Sequence, residues 1–183
     1  MNEFKLPAYR LPERSMRAVR ESIDALCKNS DGSFEPQKHP PHLTLLRQSL
    51  FGGKVGIDIS TQYRALQEMI ELQPLGYALP VIGIENTTRN LNSAAILAII
   101  LDDPSGVYDA EYSSIRSRIP ERIRGKSVTN RPHITLGRLN SERLNPELLA
   151  HGEEKLPGEI DFGPLIFSEA VMSFHESIKH GKE

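Results

Sequence analysis

One seven-residue segment occurs twice in this chain of 183 residues. Residues 41–47 read Pro-His-Leu-Thr-Leu-Leu-Arg and residues 132–138 read Pro-His-Ile-Thr-Leu-Gly-Arg, so five of the seven positions are identical. Each copy also follows a segment with helical spacing and a loop, which is typical of a duplicated structural unit. The repeat therefore predicts two related halves that contribute equivalent strands.

The His and the Thr of each copy are two residues apart. Residues at this spacing share one face of a β-strand, and the hydrophobic residues between them face the opposite side. His42 is therefore expected beside Thr44, and His133 beside Thr135. If the two halves pack about a pseudo-twofold axis, both pairs face one groove.

Two imidazoles across a groove suit chemistry at a phosphodiester. One neutral His can take a proton from the nucleophile, while the other, protonated, gives a proton to the leaving oxygen. Thr hydroxyls in the same groove can donate hydrogen bonds to nonbridging phosphate oxygens and stabilise the charge of the transition state.

Three arginines near the motifs are further candidates for substrate binding. Arg131 precedes His133 by two residues, so it is expected on the His face as a clamp for a phosphate. Arg47 and Arg138 lie three residues beyond each Thr, on the other face by strict alternation. They reach the site only if the strand ends or bulges there.

Each of these residues also has a simpler, structural interpretation. A single His on a strand is more often structural than catalytic, and Thr is favoured in strands anyway. The occurrence of two matched His-Thr pairs in one chain outweighs both of these structural interpretations. The rings of Phe34 and Tyr9 could stack on a base, although ordinary packing accounts for either.

A zinc site is the main alternative use of the histidines. His39, His42 and His133 could in principle form a three-histidine site. No ligand pattern supported by a carboxylate, such as HExxH, occurs in the sequence. We therefore predict neither a metal nor a cofactor.

Strand and helix patterns interleave along the chain. Apolar residues at three- and four-residue steps predict a first helix through Met16, Val19, Ile23 and Leu26. Three further helices are predicted: one over 63–72, one that follows residue 104, and a short one that ends at 149. Strands are predicted over 6–11, 41–46, 79–84, 94–101, 132–136, 159–167 and 170–174. This alternation predicts an α/β or α+β domain.

Charge and composition narrow the function classes. The formal net charge of −2 lacks the basic excess of a nonspecific nucleic-acid binder. Residues 116–138 nevertheless hold seven positive residues against one negative, either a solvated helix face and loop or a patch that attracts phosphate. The single Cys27, with no secretory signal pattern and no apolar run long enough to span a bilayer, predicts a cytoplasmic protein that does not act at a membrane.

The paired motifs resemble those of the two-histidine (2H) phosphoesterase superfamily, which includes the bacterial 2'-5' RNA ligase-like proteins and cyclic nucleotide phosphodiesterases. Its defining feature is a pair of His-x-Thr/Ser-x motifs in duplicated lobes, here at 42–45 and 133–136. The resemblance implies one domain over 1–183, with two pseudo-symmetric lobes, antiparallel-rich sheets lining a central cleft and helices outside. It also implies that no metal is obligatory.

By the same resemblance, His42 and His133 are the acid and the base, and Thr44 and Thr135 bind the phosphate. The expected function is metal-independent hydrolysis of 2',3'-cyclic phosphates of RNA ends or nucleotides by a monomer. The open alternatives are a 2'-5' RNA ligase or 2'-5' phosphodiesterase, a phosphodiesterase for ADP-ribose 1'',2''-cyclic phosphate, and a non-catalytic nucleotide- or RNA-binding module. Intact His-Thr pairs in both halves count against the last.

Overall fold

The computed structural model describes residues 3–38, 40–44, 77–88, 94–118, 131–140, 145–162 and 165–173. For 3–10, 165–173 and positions 44, 77, 115, 116 and 118, the description covers the backbone alone. The elements in chain order are β1 (Glu3–Arg10), α1 (Glu13–Asn29), β2 (Phe34–Pro36), β3 (His42–Thr44), β4 (Tyr77–Asn86), β5 (Ala95–Leu101), α2 (Val107–Arg118), β6 (His133–Leu139), α3 (Pro146–Glu153), β7 (Glu159–Phe162) and β8 (Leu165–Ser173).

The described strands form one antiparallel sheet. Its order is β7-β4-β5-β6-β3-β1-β8, and β2 pairs with β6 on the same edge as β3. The combination of this sheet with helices confirms the predicted α+β class with an antiparallel-rich sheet. The two motif strands, β3 and β6, lie side by side in the middle of the order, although 91 residues separate their histidines.

A row of aliphatic side chains crosses the centre of the sheet. The strand registers align Ile84, Ile99, Ile134 and Leu43 across β4, β5, β6 and β3. All four are at most 3% exposed. Full burial of such a side chain stabilises a fold by about 1.5–3 kcal/mol. The row therefore holds the hydrophobic face of both motif strands against the core.

Two helices cover that hydrophobic face. The predicted apolar stripe of α1 is confirmed, since Val19 and Leu26 are fully buried. Gly152 of α3 lies so close to the sheet and to α1 that a Cβ there would be 2.8 Å from Cδ1 of Ile84 and 3.1 Å from Cδ2 of Leu26. The helices thus pack on the face that carries Ile84. No helix in the described ranges is long and apolar enough to cross a membrane.

Several element boundaries differ from the sequence prediction. Residues 34–36 form the short strand β2, which is not among the predicted strands, because it shows no apolar alternation and is defined by its pairing with β6. Residues 165–167 belong to β8 rather than to the preceding strand, because they pair with β1. The helix predicted over 63–72 lies outside the described residues.

Cys27 is a free cysteine on α1 and packs against the core. Burial raises the pKa of its thiol, and the nearby charge of Asp24 raises it further. The reactive thiolate is therefore disfavoured, as is typical of a cysteine that serves packing.

A β-bulge interrupts β6 directly after the second motif. Thr135 pairs with Ala98, whereas Gly137 pairs with the next residue back along β5, Leu97. Leu136 is therefore an extra residue with no partner on β5, and its carbonyl accepts a hydrogen bond from the backbone N–H of Gln37 at 2.9 Å. The side-chain alternation of β6 shifts by one residue beyond this point.

Gly137 is required by the close approach of β2. A Cβ at this position would collide with the backbone carbonyl oxygen of Glu35 and would lie 2.7 Å from Cζ of Phe34. Phe34 is buried, and backbone cannot move aside as a flexible side chain can. The first copy of the repeat has Leu46 at the equivalent position.

We expect Gly137→Ala to destabilise the protein by about 1–3 kcal/mol, because the added methyl overpacks the bulge. Gly158→Ala is the matched control, since a Cβ there meets nothing within 4 Å. It should be neutral or stabilise by up to about 1 kcal/mol through the unfolded state. Urea unfolding of both variants measures the difference, and equal midpoints would contradict this account of the bulge.

Candidate active site

The pairing of β3 with β6 assembles the two motifs. Leu43 lies directly opposite Ile134 in an antiparallel register. One step along the two strands in either direction brings His42 opposite Thr135, and His133 opposite the backbone of Thr44. Each His of one copy therefore faces the Thr position of the other, on the side of the sheet away from the buried Leu43 and Ile134.

The two histidines are diagonal neighbours in this arrangement. In an antiparallel pair, the Cβ atoms of diagonal neighbours are about 7 Å apart, which is within reach of aromatic side chains. Both rings are half-buried. A phosphate-sized group placed between them could contact one imidazole on each side.

Each of the two rings is held by an equivalent hydrogen bond to a backbone carbonyl. Nδ1 of His42 lies 2.8 Å from the carbonyl oxygen of Pro40, and Nδ1 of His133 lies 2.9 Å from the carbonyl oxygen of Arg131. A carbonyl oxygen only accepts, so Nδ1 carries the proton in each neutral ring. Nε2 is then the nitrogen that can take up or release a proton at a substrate.

A proline explains why both rings adopt this orientation. In each copy the accepting carbonyl belongs to the residue before a proline, Pro40 before Pro41 and Arg131 before Pro132. Proline restricts the preceding residue to extended conformations. The proline of each motif thus helps to fix the carbonyl that orients the next residue, a role that sequence reasoning missed although both prolines belong to the repeat.

The bulge changes the position of Arg138. Beyond it, Arg138 pairs with Ile96 and lies two paired positions from Thr135, so both residues lie on one face of the sheet. The burial pattern agrees, because Leu136 and Gly137 are buried while Arg138 is exposed. Arg138 could reach the site only if the strand ended or bulged before this residue, and the bulge meets that requirement.

Arg131 has an ion-pair partner. Its Nη1 lies 3.1 Å from Oε2 and 3.3 Å from Oε1 of Glu85 on β4. Glu85 pairs with Ala98, which in turn pairs with Thr135. Sequence reasoning missed Glu85, because no spacing connects it with either motif.

The remaining candidates are Phe34, Thr44, Tyr9, Arg47 and His39. The ring of Phe34 is 5% exposed and packs beside Gly137, which fits ordinary packing rather than stacking on a base, because a buried ring offers no face to a base. The side chains of Thr44 and Tyr9, and all of Arg47 and His39, lie outside the described part of the structure.

Within the described ranges, no three His, Cys, Asp or Glu side chains are placed to hold a metal ion. The three-histidine zinc alternative includes His39 and is therefore untested. Most of the basic stretch over 116–138 also lies outside the described side chains.

Comparison with known proteins supports the fold. No family model and no curated protein sequence matches the chain. Among solved structures, TT0787 of Thermus thermophilus matches with a TM-score of 0.52 and 21% identity, over 90% of this chain and 84% of that one. This likeness shows a shared fold, of the same α+β class as the sequence predicts.

Two structures of Kluyveromyces marxianus Usb1 match at lower scores. The first has a TM-score of 0.47 and 14% identity, over 93% of this chain and 95% of that one. The second, with uridine monophosphate, has a TM-score of 0.41 and 15% identity, over 81% of this chain and 80% of that one.

The carbonyl contacts predict one tautomer for both motif histidines. In the neutral form, His42 and His133 should carry the proton on Nδ1, as read from the nitrogen chemical shifts of their rings in long-range proton–nitrogen correlation spectra. The exposed His151 of α3 is the control and should show the tautomer mixture of free imidazole. Protonation on Nε2 in either motif residue would contradict the assignment.

Proposed function

We propose that this protein is a metal-independent phosphodiesterase that hydrolyses 2',3'-cyclic phosphates of RNA ends or nucleotides by two-histidine acid/base catalysis. One observation carries the proposal: the register of β3 and β6 brings together two histidines whose Nδ1 atoms are both held by backbone carbonyls. This contact at Nδ1 directs proton exchange with a substrate to Nε2 of each ring.

The proposed reaction is an in-line displacement at phosphorus. One histidine, neutral, accepts a proton from the attacking water through Nε2, and the new P–O bond forms. The other, protonated, donates its proton to the 2' or 3' ribose oxygen as the old P–O bond breaks. The product is a phosphate monoester with a free ribose hydroxyl, and a proton exchange with solvent restores both rings.

The threonines are proposed to bind the nonbridging oxygens. Thr135 is half-buried and lies opposite His42, and the backbone of Thr44 lies opposite His133. A hydroxyl beside each imidazole could donate to the phosphate as its equatorial oxygens gain charge. Removal of one such donor typically lowers the rate by about 10²–10³-fold.

The local symmetry also makes the roles of the two histidines interchangeable, so the same site could accept a second nucleophile. Both rings have the same backbone acceptor in the same place, so either can serve as acid or as base. In the same ring-opening direction, a 5'-hydroxyl would replace water as the nucleophile: the new bond forms between its oxygen and phosphorus, the bond from phosphorus to the 3' oxygen breaks, and the protonated histidine gives its proton to that oxygen, leaving a 2'-5' linkage. Ligation is therefore the second candidate activity of the same site.

We expect His42→Ala and His133→Ala each to lower the rate of 2',3'-cyclic nucleotide hydrolysis by about 10²–10⁴-fold, the usual contribution of general acid–base catalysis. Hydrolysis is measured in excess chelator with product analysis by chromatography. His151→Ala is the matched control, since that ring is exposed on α3. The mechanism is wrong if either motif variant keeps the full rate.

Arg138→Gln should weaken substrate binding rather than proton transfer. The bulge places this cation two paired positions from Thr135. We expect KM for a 2',3'-cyclic nucleotide to rise roughly tenfold with little change in kcat, as is usual when an interaction is equally strong in substrate and transition state. Arg20→Gln, an exposed position on α1, is the control. Unchanged KM would show that Arg138 lies away from the substrate.

A further inference from the structure

The ion pair between Arg131 and Glu85 bridges the middle of the sheet. Arg131 precedes β6, Glu85 lies on β4, and β5 runs between these two strands. The two side chains meet on the face that carries His133 and Thr135, because Glu85, Ala98 and Thr135 follow one another in register. The pair therefore passes over β5 and lies along one side of the proposed site.

This bridge changes the charge of the site. Arg131 would contribute a full positive charge beside His133, but the carboxylate of Glu85 lies 3.1 Å from its guanidinium. Both side chains are about half exposed, at 54% for Arg131 and 47% for Glu85. Such a pair contributes little to stability, about 0–1 kcal/mol, so folding alone does not account for it.

We propose that Glu85 is a specificity-determining residue, which selects a singly charged phosphodiester over a doubly charged phosphate monoester at this site. The inference rests on the proposed function, whose substrate is a diester with one negative charge and whose product is a monoester with two. Glu85 cancels the charge of Arg131 and repels the second charge of the product, so it favours product release.

Coulomb's law sets the size of the effect. A carboxylate about two strand spacings from a phosphate interacts more strongly with a dianion than with a monoanion. At the effective dielectric constant near a protein surface, one extra charge at that separation changes affinity by roughly tenfold. Deoxyadenosine 3'-monophosphate and its methyl ester are suitable probes, because they differ by one charge at neutral pH and neither is cyclic.

The experiment measures the dissociation constants of the two probes by calorimetry for the wild-type protein, Glu85→Gln and Glu85→Asp. We expect Glu85→Gln to bind the methyl ester roughly tenfold and the monoester roughly a hundredfold more tightly than the wild-type protein, so that the ratio of the two affinities changes by roughly tenfold. Glu85→Asp keeps the charge and should retain the wild-type preference. Glu21→Gln, on the exposed surface of α1, is the matched control and should change neither constant.

Each other outcome overturns the inference. An unchanged ratio of monoester to ester affinity in Glu85→Gln would show that the charge of Glu85 does not act on the ligand. A change in Glu85→Asp equal to that in Glu85→Gln would assign the effect to contact geometry instead. If neither probe bound to the wild-type protein, the proposal that a phosphate binds at this site would be wrong.

The titration is separate from turnover. Its probes contain no cyclic phosphate, so the selectivity result stands whether or not the wild-type protein opens a cyclic phosphate. Failure of hydrolysis contradicts the proposed function, whereas an unchanged affinity ratio contradicts the role of Glu85.

Discussion

The candidate site depends on one pairing, that of Leu43 with Ile134 in neighbouring antiparallel strands. Both side chains are fully buried beneath the helical layer. A shift of one residue in either strand would turn its aliphatic side chain to the opposite face and its histidine into the core. Such a shift would lose the burial of large aliphatic groups and bury polar imidazoles, so the hydrophobic core specifies the register that brings the two motifs together.

Once the strands are in register, two features of the backbone decide how the histidine rings are oriented and on which face Arg138 lies. The residue before each motif proline presents a carbonyl to Nδ1 of the histidine, which directs proton exchange to Nε2. The bulge at Leu136 reverses the alternation beyond Thr135 and moves Arg138 to the histidine face. Both features are local, but each matters chemically only because the core has already aligned the strands.

The two copies of the repeat are not equivalent in their surroundings. Arg131, before the second histidine, is paired with Glu85, whereas Pro40 occupies the corresponding position before the first. The second copy has Gly137, which admits the backbone of β2, and the first has Leu46. A substrate between two similar histidines would therefore meet different charges along β6 and β3, and this asymmetry can orient it.

The sequence by itself determined the four motif positions through the repeat, and it determined the apolar stripe of α1, the strands β4 and β5 and hence the α+β class through local patterns of residue type. It failed for β2 and for the partner of Arg131, which depend on contacts between distant segments. Only the tertiary structure decided that Thr135 lies opposite His42, that Arg138 shares their face and that Glu85 neutralises Arg131. The physical reason is that register, bulges and ion pairs across a sheet arise from packing between strands, which no period within a single strand encodes.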